Sequence, residues 1–132
     1  MIGPQLDIFQ SEVGSKLASI DFLDTAPFPV KRVFIIMDGK RGETRGRHAH
    51  LECWQGLIVL QGKLSLTTTS LQDKRPIHRI MTKDCSIHIL PPLTWVEIQI
   101  HEENSIVLVL ASHNYSESDY IRSHSEFLSM NL

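Results

Sequence analysis

Apolar and polar positions along this chain alternate in short blocks, and nearly every block reads as a β-strand. Val30 to Met37 is apolar and β-branched, which suits a pleated, half-buried surface. Trp54 to Leu60 and Lys63 to Thr69 flank Gln61-Gly62, a turn signal that predicts a hairpin. Pro76 to Met81, Ser86 to Leu90, Trp95 to Ile100 and Ser105 to Ser112 follow. Breaks fall at Lys83-Asp84, Pro91-Pro92 and His101-Glu102-Glu103-Asn104. Short, closely spaced strands with polar turns predict an all-β sandwich or barrel. The chain ends differently. Ser116 reads as the cap of a short C-terminal helix, with Glu117 and Asp119 in its first turn. Tyr120-Ile121-Arg122 through Phe127-Leu128 would pack that helix on the strands.

The first 29 residues are irregular. Leu6, Ile8 and Phe9 predict an early strand, and Pro27 and Pro29 keep the chain extended before Val30. A strand without its own hairpin partner can join another subunit's sheet, so residues 1–29 are expected to exchange within a homodimer. No repeat or linker divides the sequence, and its 132 residues are read as one domain, 1–132.

Hydrophobic content of 42% and charged content of 21% are ordinary for a globular protein. A net charge of −2 gives no general attraction to nucleic acid or an anionic membrane. No apolar run is long enough to span a bilayer. Met1-Ile2-Gly3-Pro4-Gln5 lacks the basic start and apolar core of a signal peptide, so a cytoplasmic location is expected. Cys53 and Cys85 have no metal-site spacing and read as buried free thiols in a reducing cytosol.

The candidate chemistry sits in Gly42-Glu43-Thr44-Arg45-Gly46-Arg47-His48-Ala49-His50, followed by Gln55 and Gly62. His78, His88, His101, His113 and His124 are scattered, whereas His48 and His50 share one face of a strand. Gly42 and Gly46 read as the turn feeding that strand, and Gly62 as the turn ending the next. The spacing resembles the first motif of the cupin β-barrels, which implies a double-stranded β-helix jelly roll. Metal-binding cupins carry Glu where this chain has Gln55. They also carry a second-motif histidine, near where Val96 follows Trp95 here. Two imidazoles and a neutral amide make a poor site for a divalent cation, with His88 as a possible substitute ligand. No metal and no other cofactor is therefore expected.

Proton transfer is the chemistry left to a histidine pair that titrates near neutrality. The alternative is a pair of hydrogen-bonded structural histidines; the glycine framing and the adjacent Arg45 weigh against it. Arg32 and Arg45 are candidates to contact an anionic diphosphate, whose oxygens suit a planar guanidinium. Solvated strand-edge charges are the alternative for both, and Arg47 is expected to point away from the histidines.

Lys31-Arg32-Val33, Arg45-Gly46-Arg47-His48-Ala49-His50, Gln55, Pro92, Trp95, Leu110-Ala111-Ser112, Tyr115, Glu117 and Asp119-Tyr120-Ile121-Arg122 together resemble one family. It is that of the WxcM-like cupins, the nucleotide-sugar 3,4-ketoisomerases that act on dTDP-4-keto-6-deoxyglucose. The resemblance implies a metal-independent dimer with exchanged N-terminal strands. The implied reaction moves a ketone from C4 to C3, toward 3-amino-3,6-dideoxy sugars of lipopolysaccharide O-antigen and other surface polysaccharides. It also implies His50 as the base and His48 as the partner that shuttles or orients the proton. Gln55 and Arg45 would stabilise the oxyanion, and Arg32, Arg45, Gln55 and Trp95 would bind substrate. The chain departs from the family where Phe34 and Ile35 replace a tyrosine-bearing stretch and where Val96 replaces a histidine. A non-catalytic sugar-nucleotide binding module is the competing reading. A metal-dependent oxygenase is disfavoured by Gln55 and Val96.

Overall fold

The computed structural model describes residues 5–21 and 28–131. Its strands run β1 (Asp7–Gln10), β2 (Lys16–Ser19), β3 (Arg32–Gly39), β4 (Thr44–His50), β5 (Gln55–Gln61) and β6 (Lys63–Ser70). They continue as β7 (Pro76–Thr82), β8 (His88–Leu90), β9 (Thr94–Ile100), β10 (Ser105–Ala111) and β11 (Tyr120–Ile121), before helix α1 (His124–Ser129). Two antiparallel sheets make the body, a four-stranded one in order β3-β10-β5-β8 and a five-stranded one in order β11-β4-β9-β6-β7. Among the described residues, no helix is long and apolar enough to cross a membrane.

Strand alternation sorts the side chains into three apolar layers. Leu57, Val59, Leu64, Leu66, Val107 and Val109 are among those that meet between the sheets. The outer face of the four-stranded sheet carries Ile58, Ile89 and Leu110, and Leu6, Ile20 and Phe28 from the N-terminal segment pack on it. The outer face of the five-stranded sheet carries Ala49 and Trp95, covered by Ile121 and Phe127.

Three local expectations change. Gln61-Gly62 is not a hairpin turn, because β5 pairs with β8 and β10 while β6 pairs with β7 and β9. Gly62, at φ +89°, instead turns the chain from one sheet into the other. The dipeptide encodes a reversal, but the partners are chosen by which faces bury each other. The early strand also has a hairpin partner, since β1 pairs with β2 of the same chain from Asp7↔Ser19 to Gln10↔Lys16. Pro27 falls outside the described residues. Finally, the C-terminal helix begins later than expected. Glu117–Asp119 forms a single 3-10 turn whose preceding Ser116 makes no side-chain cap. Ser123 caps α1 instead, its hydroxyl accepting from the Glu126 amide at 3.2 Å. Tyr120 and Ile121 between them are pulled into an extended pairing with His50 and Ala49.

Gly62 and Gly42 separate two kinds of backbone cost. Both have positive φ, but a Cβ on Gly62 would lie 2.1 Å from Ser105 Oγ, whereas among the described residues nothing lies within 4 Å of one on Gly42. Gly42→Ala should cost roughly 1–2 kcal/mol, the left-handed penalty alone. Gly62→Ala should cost at least about 1 kcal/mol more through overpacking. Urea unfolding of the two variants measures the difference, and equal losses would contradict the assignment.

Candidate functional site

The strand bearing the histidines is bulged. Gly46 and Arg47 both have positive φ, +86° and +60°, and the register of β4 against β9 slips between Gly46 and His48. Gly46 is thus not part of a feeding turn but lies inside the strand. A Cβ there would sit 3.0 Å from the Val96 carbonyl oxygen, so the close approach requires glycine. The extra residue shifts the alternation, so that Arg45 and His48, three apart, both line one cavity. Without the bulge, one of them would face away.

That cavity, about 620 Å³, opens between the edges of the two sheets. Phe34, Leu57, Val96, Ile98 and Val109 give it apolar walls, while Arg32, Arg45, His48, Gln55, Tyr120 and Arg122 supply its polar groups. Gln55 is buried and reaches the cavity from β5, on the facing sheet rather than on a strand adjacent to β4. His50 sits deeper, beside a small void that it shares with Arg32, Gln55 and Tyr120.

His50 and His48 rings lie 5.1 Å apart and nearly perpendicular. The Tyr120 ring is 4.4 Å from His50 and 5.0 Å from His48. His50 Nδ1 meets Asp119 Oδ2 at 2.9 Å. A carboxylate only accepts, so this contact places the proton on Nδ1 and leaves Nε2 with its lone pair. Nε2 is buried and has no hydrogen-bond partner among the described residues. Asp119 is itself fixed: its Oδ1 accepts from the Glu52 amide at 2.8 Å, and its Oδ2 from the Cys53 amide at 3.3 Å.

The remaining predicted residues divide. Arg32 lies over the rings of Phe34 and Tyr115, at 4.7 and 5.4 Å. Arg45 is half exposed and 3.4 Å from Glu43. Arg47 is exposed, with Glu97 at 3.8 Å, on the side away from the histidines as expected. Trp95 does not belong to the site. Alternation along β9 turns it outward, where it is buried against His124 and Phe127, and turns Val96 into the cavity. Trp95 is therefore a core residue rather than a substrate contact. His88 lines a separate small cavity with Arg75 and Arg79 and is not beside the pair. Both cysteines are free, Cys53 buried and Cys85 half-buried.

The sequence marks residues 115–122 as a helix start and as part of the family motif, whereas the structure brings their side chains into the site. Arg122 donates to both Glu117 carboxylate oxygens, at 2.7 and 2.9 Å, and its guanidinium lies 4.2 Å over the Tyr120 ring. Tyr115 donates its hydroxyl to Glu117. The available signal was the alternation of polar and aromatic residues here, which the helical reading obscured. His50, Cys53 and Asp119 bring ligand atoms within 4.8 Å of one another. The Asp119 oxygens already accept from two amides and the imidazole, so the arrangement is that of a hydrogen-bonded dyad.

Burial shapes the electrostatics. It lowers His48 to about 4, with His50 reinforcing the effect. It also lowers His50, against the opposing pull of the Asp119 hydrogen bond and charge. Both imidazoles are thus neutral at pH 7, and His50 can accept a proton. Glu117 is held near 2, first by Arg122 and then by Tyr115.

Comparison with known proteins gives a consistent picture. The family described as FdtA: WxcM-like, C-terminal, matches residues 4–131. The TDP-4-oxo-6-deoxy-alpha-D-glucose-3,4-oxoisomerase of Aneurinibacillus thermoaerophilus is 34% identical over 112 residues, 84% of this chain and 78% of the relative. A sugar 3,4-ketoisomerase from Thermoanaerobacterium thermosaccharolyticum, solved with TDP, superposes with a TM-score of 0.81 at 28% identity, covering 95% of this chain and 89% of that one. A variant of that enzyme with one histidine replaced by asparagine, solved with TDP-4-keto-6-deoxyglucose, gives 0.81 at 27% identity, covering 95% and 88%.

The buried histidines link stability to pH. His48 and His88 are lowered to about 4 in the folded chain, and His50 is lowered too, whereas an unfolded histidine titrates near 6.5. Between those values the unfolded state binds more protons, so this contribution is complete above 6.5 and is lost as pH falls toward 4. The urea midpoint should therefore drop between pH 7.5 and 4.5, and His88→Gln should flatten the slope. Equal midpoints at the two pH values would contradict it.

Proposed function

The chain belongs to the WxcM-like family, and within it we propose that it is a 3,4-ketoisomerase of a TDP-linked 4-keto-6-deoxyhexose. The observation carrying this reading is the Asp119–His50 pair, which leaves a neutral, buried Nε2 without a partner among the described residues, on a side chain that shares a small void with Gln55 and Tyr120. His50 is the base that removes the C3 proton and returns it at C4 through an enediolate. His48, neutral and at right angles to it, orients the substrate. The Gln55 amide donates to the developing oxyanion. Arg32 and Arg45 hold the diphosphate at the mouth, where charge-assisted contacts suit it. No step calls for a metal or other cofactor.

A 3-keto product is what an aminotransferase needs to make a 3-amino-3,6-dideoxy sugar, and surface polysaccharide such as O-antigen is the proposed destination. Two free thiols support a reducing cytoplasm as the location. The apolar Phe34 and Val96 in the cavity wall favour a second reading, a sugar-nucleotide binding module without turnover.

We propose a homodimer as the working form of this single domain. Strand β3 is a sheet edge, and Val33, Ile35 and Met37 are exposed at 54%, 46% and 64% on alternate positions. Such an edge is a template for association. Ile35 and Met37 also line the cavity, so a second copy over this stripe would cover its open side. Light scattering should give about twice the 15.0 kDa chain mass for the wild type, and about one chain mass for Val33→Asp. A wild-type monomer at micromolar concentration would sink the proposal.

Replacing His50 by Asn should slow C3 proton exchange of TDP-4-keto-6-deoxyglucose in D₂O by roughly 10²–10⁴-fold while sparing TDP-sugar binding. Arg32→Ala or Arg45→Ala should instead weaken binding by about 1–3 kcal/mol. EDTA should leave the rate unchanged. A wild type that binds the sugar nucleotide but exchanges no proton would replace the enzyme reading by the binding module.

A further inference from the structure

Moving a ketone from C4 to C3 relocates two protons. One travels from C3 to C4, and the other from the C3 hydroxyl to the C4 oxygen. The carbon-bound proton leaves perpendicular to the plane of the forming double bond, whereas the two oxygens exchange protons close to that plane. A single imidazole nitrogen cannot face both directions in one bound geometry. The site therefore needs a second group, set at an angle to His50, that can both give and take a proton.

We propose that the Tyr120 phenol is the catalytic group that carries the oxygen-bound proton from O3 to O4, while His50 handles the carbon-bound one. The proposal rests on the ketoisomerase reading above. Tyr120 lines both the main cavity and the void beside His50. Its ring lies 4.4 Å from that of His50, inclined by 54°, so the two groups address the same space from different directions. The pairing of β11 with β4 sets Tyr120 directly opposite His50.

Other groups in the cavity fit the task less well. An amide such as Gln55 does not pick up and release a proton at neutral pH, and a guanidinium stays charged. His48 is close, but among the described residues it has no hydrogen-bonded carboxylate, as His50 has in Asp119, to support the imidazolium it would have to become. The chain has two tyrosines. The Tyr115 hydroxyl is committed to Glu117, whereas no hydrogen bond among the described residues engages that of Tyr120. Arg122, 4.2 Å over the Tyr120 ring, would ease negative charge developing on the phenol. Phe34 and Ile35 on β3 thus do not leave the cavity without a phenol; the C-terminal segment provides one.

The step balances. His50 Nε2 takes the C3 proton, and the C3–H electron pair becomes the C3=C4 bond. The carbonyl π pair moves to O4, which takes the phenol proton. The phenolate oxygen then takes the proton of the C3 hydroxyl, which restores Tyr120 and leaves an enediolate. O3 forms the new carbonyl, the C=C pair takes the proton from the His50 imidazolium at C4, and no net charge remains.

Tyr120→Phe keeps the ring and removes the relay. With TDP-4-keto-6-deoxyglucose in D₂O, NMR should show C3 exchange within about tenfold of wild type, but ketone migration slowed by at least about 10²-fold. TDP affinity and melting temperature should be unchanged. Migration within tenfold of wild type would overturn the proposal. So would an equal loss of exchange and migration, which marks a structural or binding role, or the same split appearing in His48→Asn instead. A wild type without C3 exchange would remove the ketoisomerase reading itself, a result distinct from all of these.

Discussion

One hydrogen bond, from His50 Nδ1 to Asp119 Oδ2, joins positions 69 residues apart and sets the chemistry of the site. It fixes the tautomer, so the nitrogen left without a partner is the one able to take a proton. The same carboxylate accepts two amides of the loop after β4, which ties that loop to the C-terminal segment. Once Asp119 is anchored, its chain neighbours follow: Tyr120 lies against both histidines and Arg122 lies over Tyr120. The anchor in turn depends on packing. β11 is only two residues long, and what keeps it in place is α1 behind it, with Phe127 fully buried against Ala49 and Trp95. Truncating such a side chain typically costs about 3–5 kcal/mol, so the outer apolar layer supports the His50–Asp119 pair from a distance.

Between two largely apolar sheets, burial holds both imidazoles neutral, which a base requires at pH 7. It also leaves Nε2 of His50 without a partner, at a cost of about 1–3 kcal/mol for an unsatisfied buried polar atom. Under the proposed ketoisomerase reading, that loss of stability would be the cost of a site that favours proton abstraction. The guanidiniums, by contrast, are kept at the mouth, where Arg45 and Arg122 remain about half exposed and hydrated.

Two glycines make this arrangement possible in ways their sequence context does not reveal. Gly46 admits a bulge against the Val96 carbonyl that puts Arg45 and His48 on one side. Gly62 lets the chain leave the four-stranded sheet at the end of β5 and enter the five-stranded one as β6, so that β5 and β6 face each other across the core instead of pairing.

The β-rich fold class, most strand positions and the candidacy of His48, His50, Gln55, Arg32 and Arg45 follow from local information. Period-two alternation, turn residues and the His-x-His spacing are properties of a few consecutive residues, and the chain's own residues carry them. Partner choice is not local. Whether Gln61-Gly62 closes a hairpin or a corner depends on a strand 45 residues away, as the pairing of Ile106 with Gln61 shows. The same holds for Trp95, whose place in the family motif implies a substrate contact until α1 is seen covering it. Asp119 and Tyr120 meet His50 only because β11 pairs beside β4, and a carboxylate or phenol has no directed function until tertiary packing fixes what it faces.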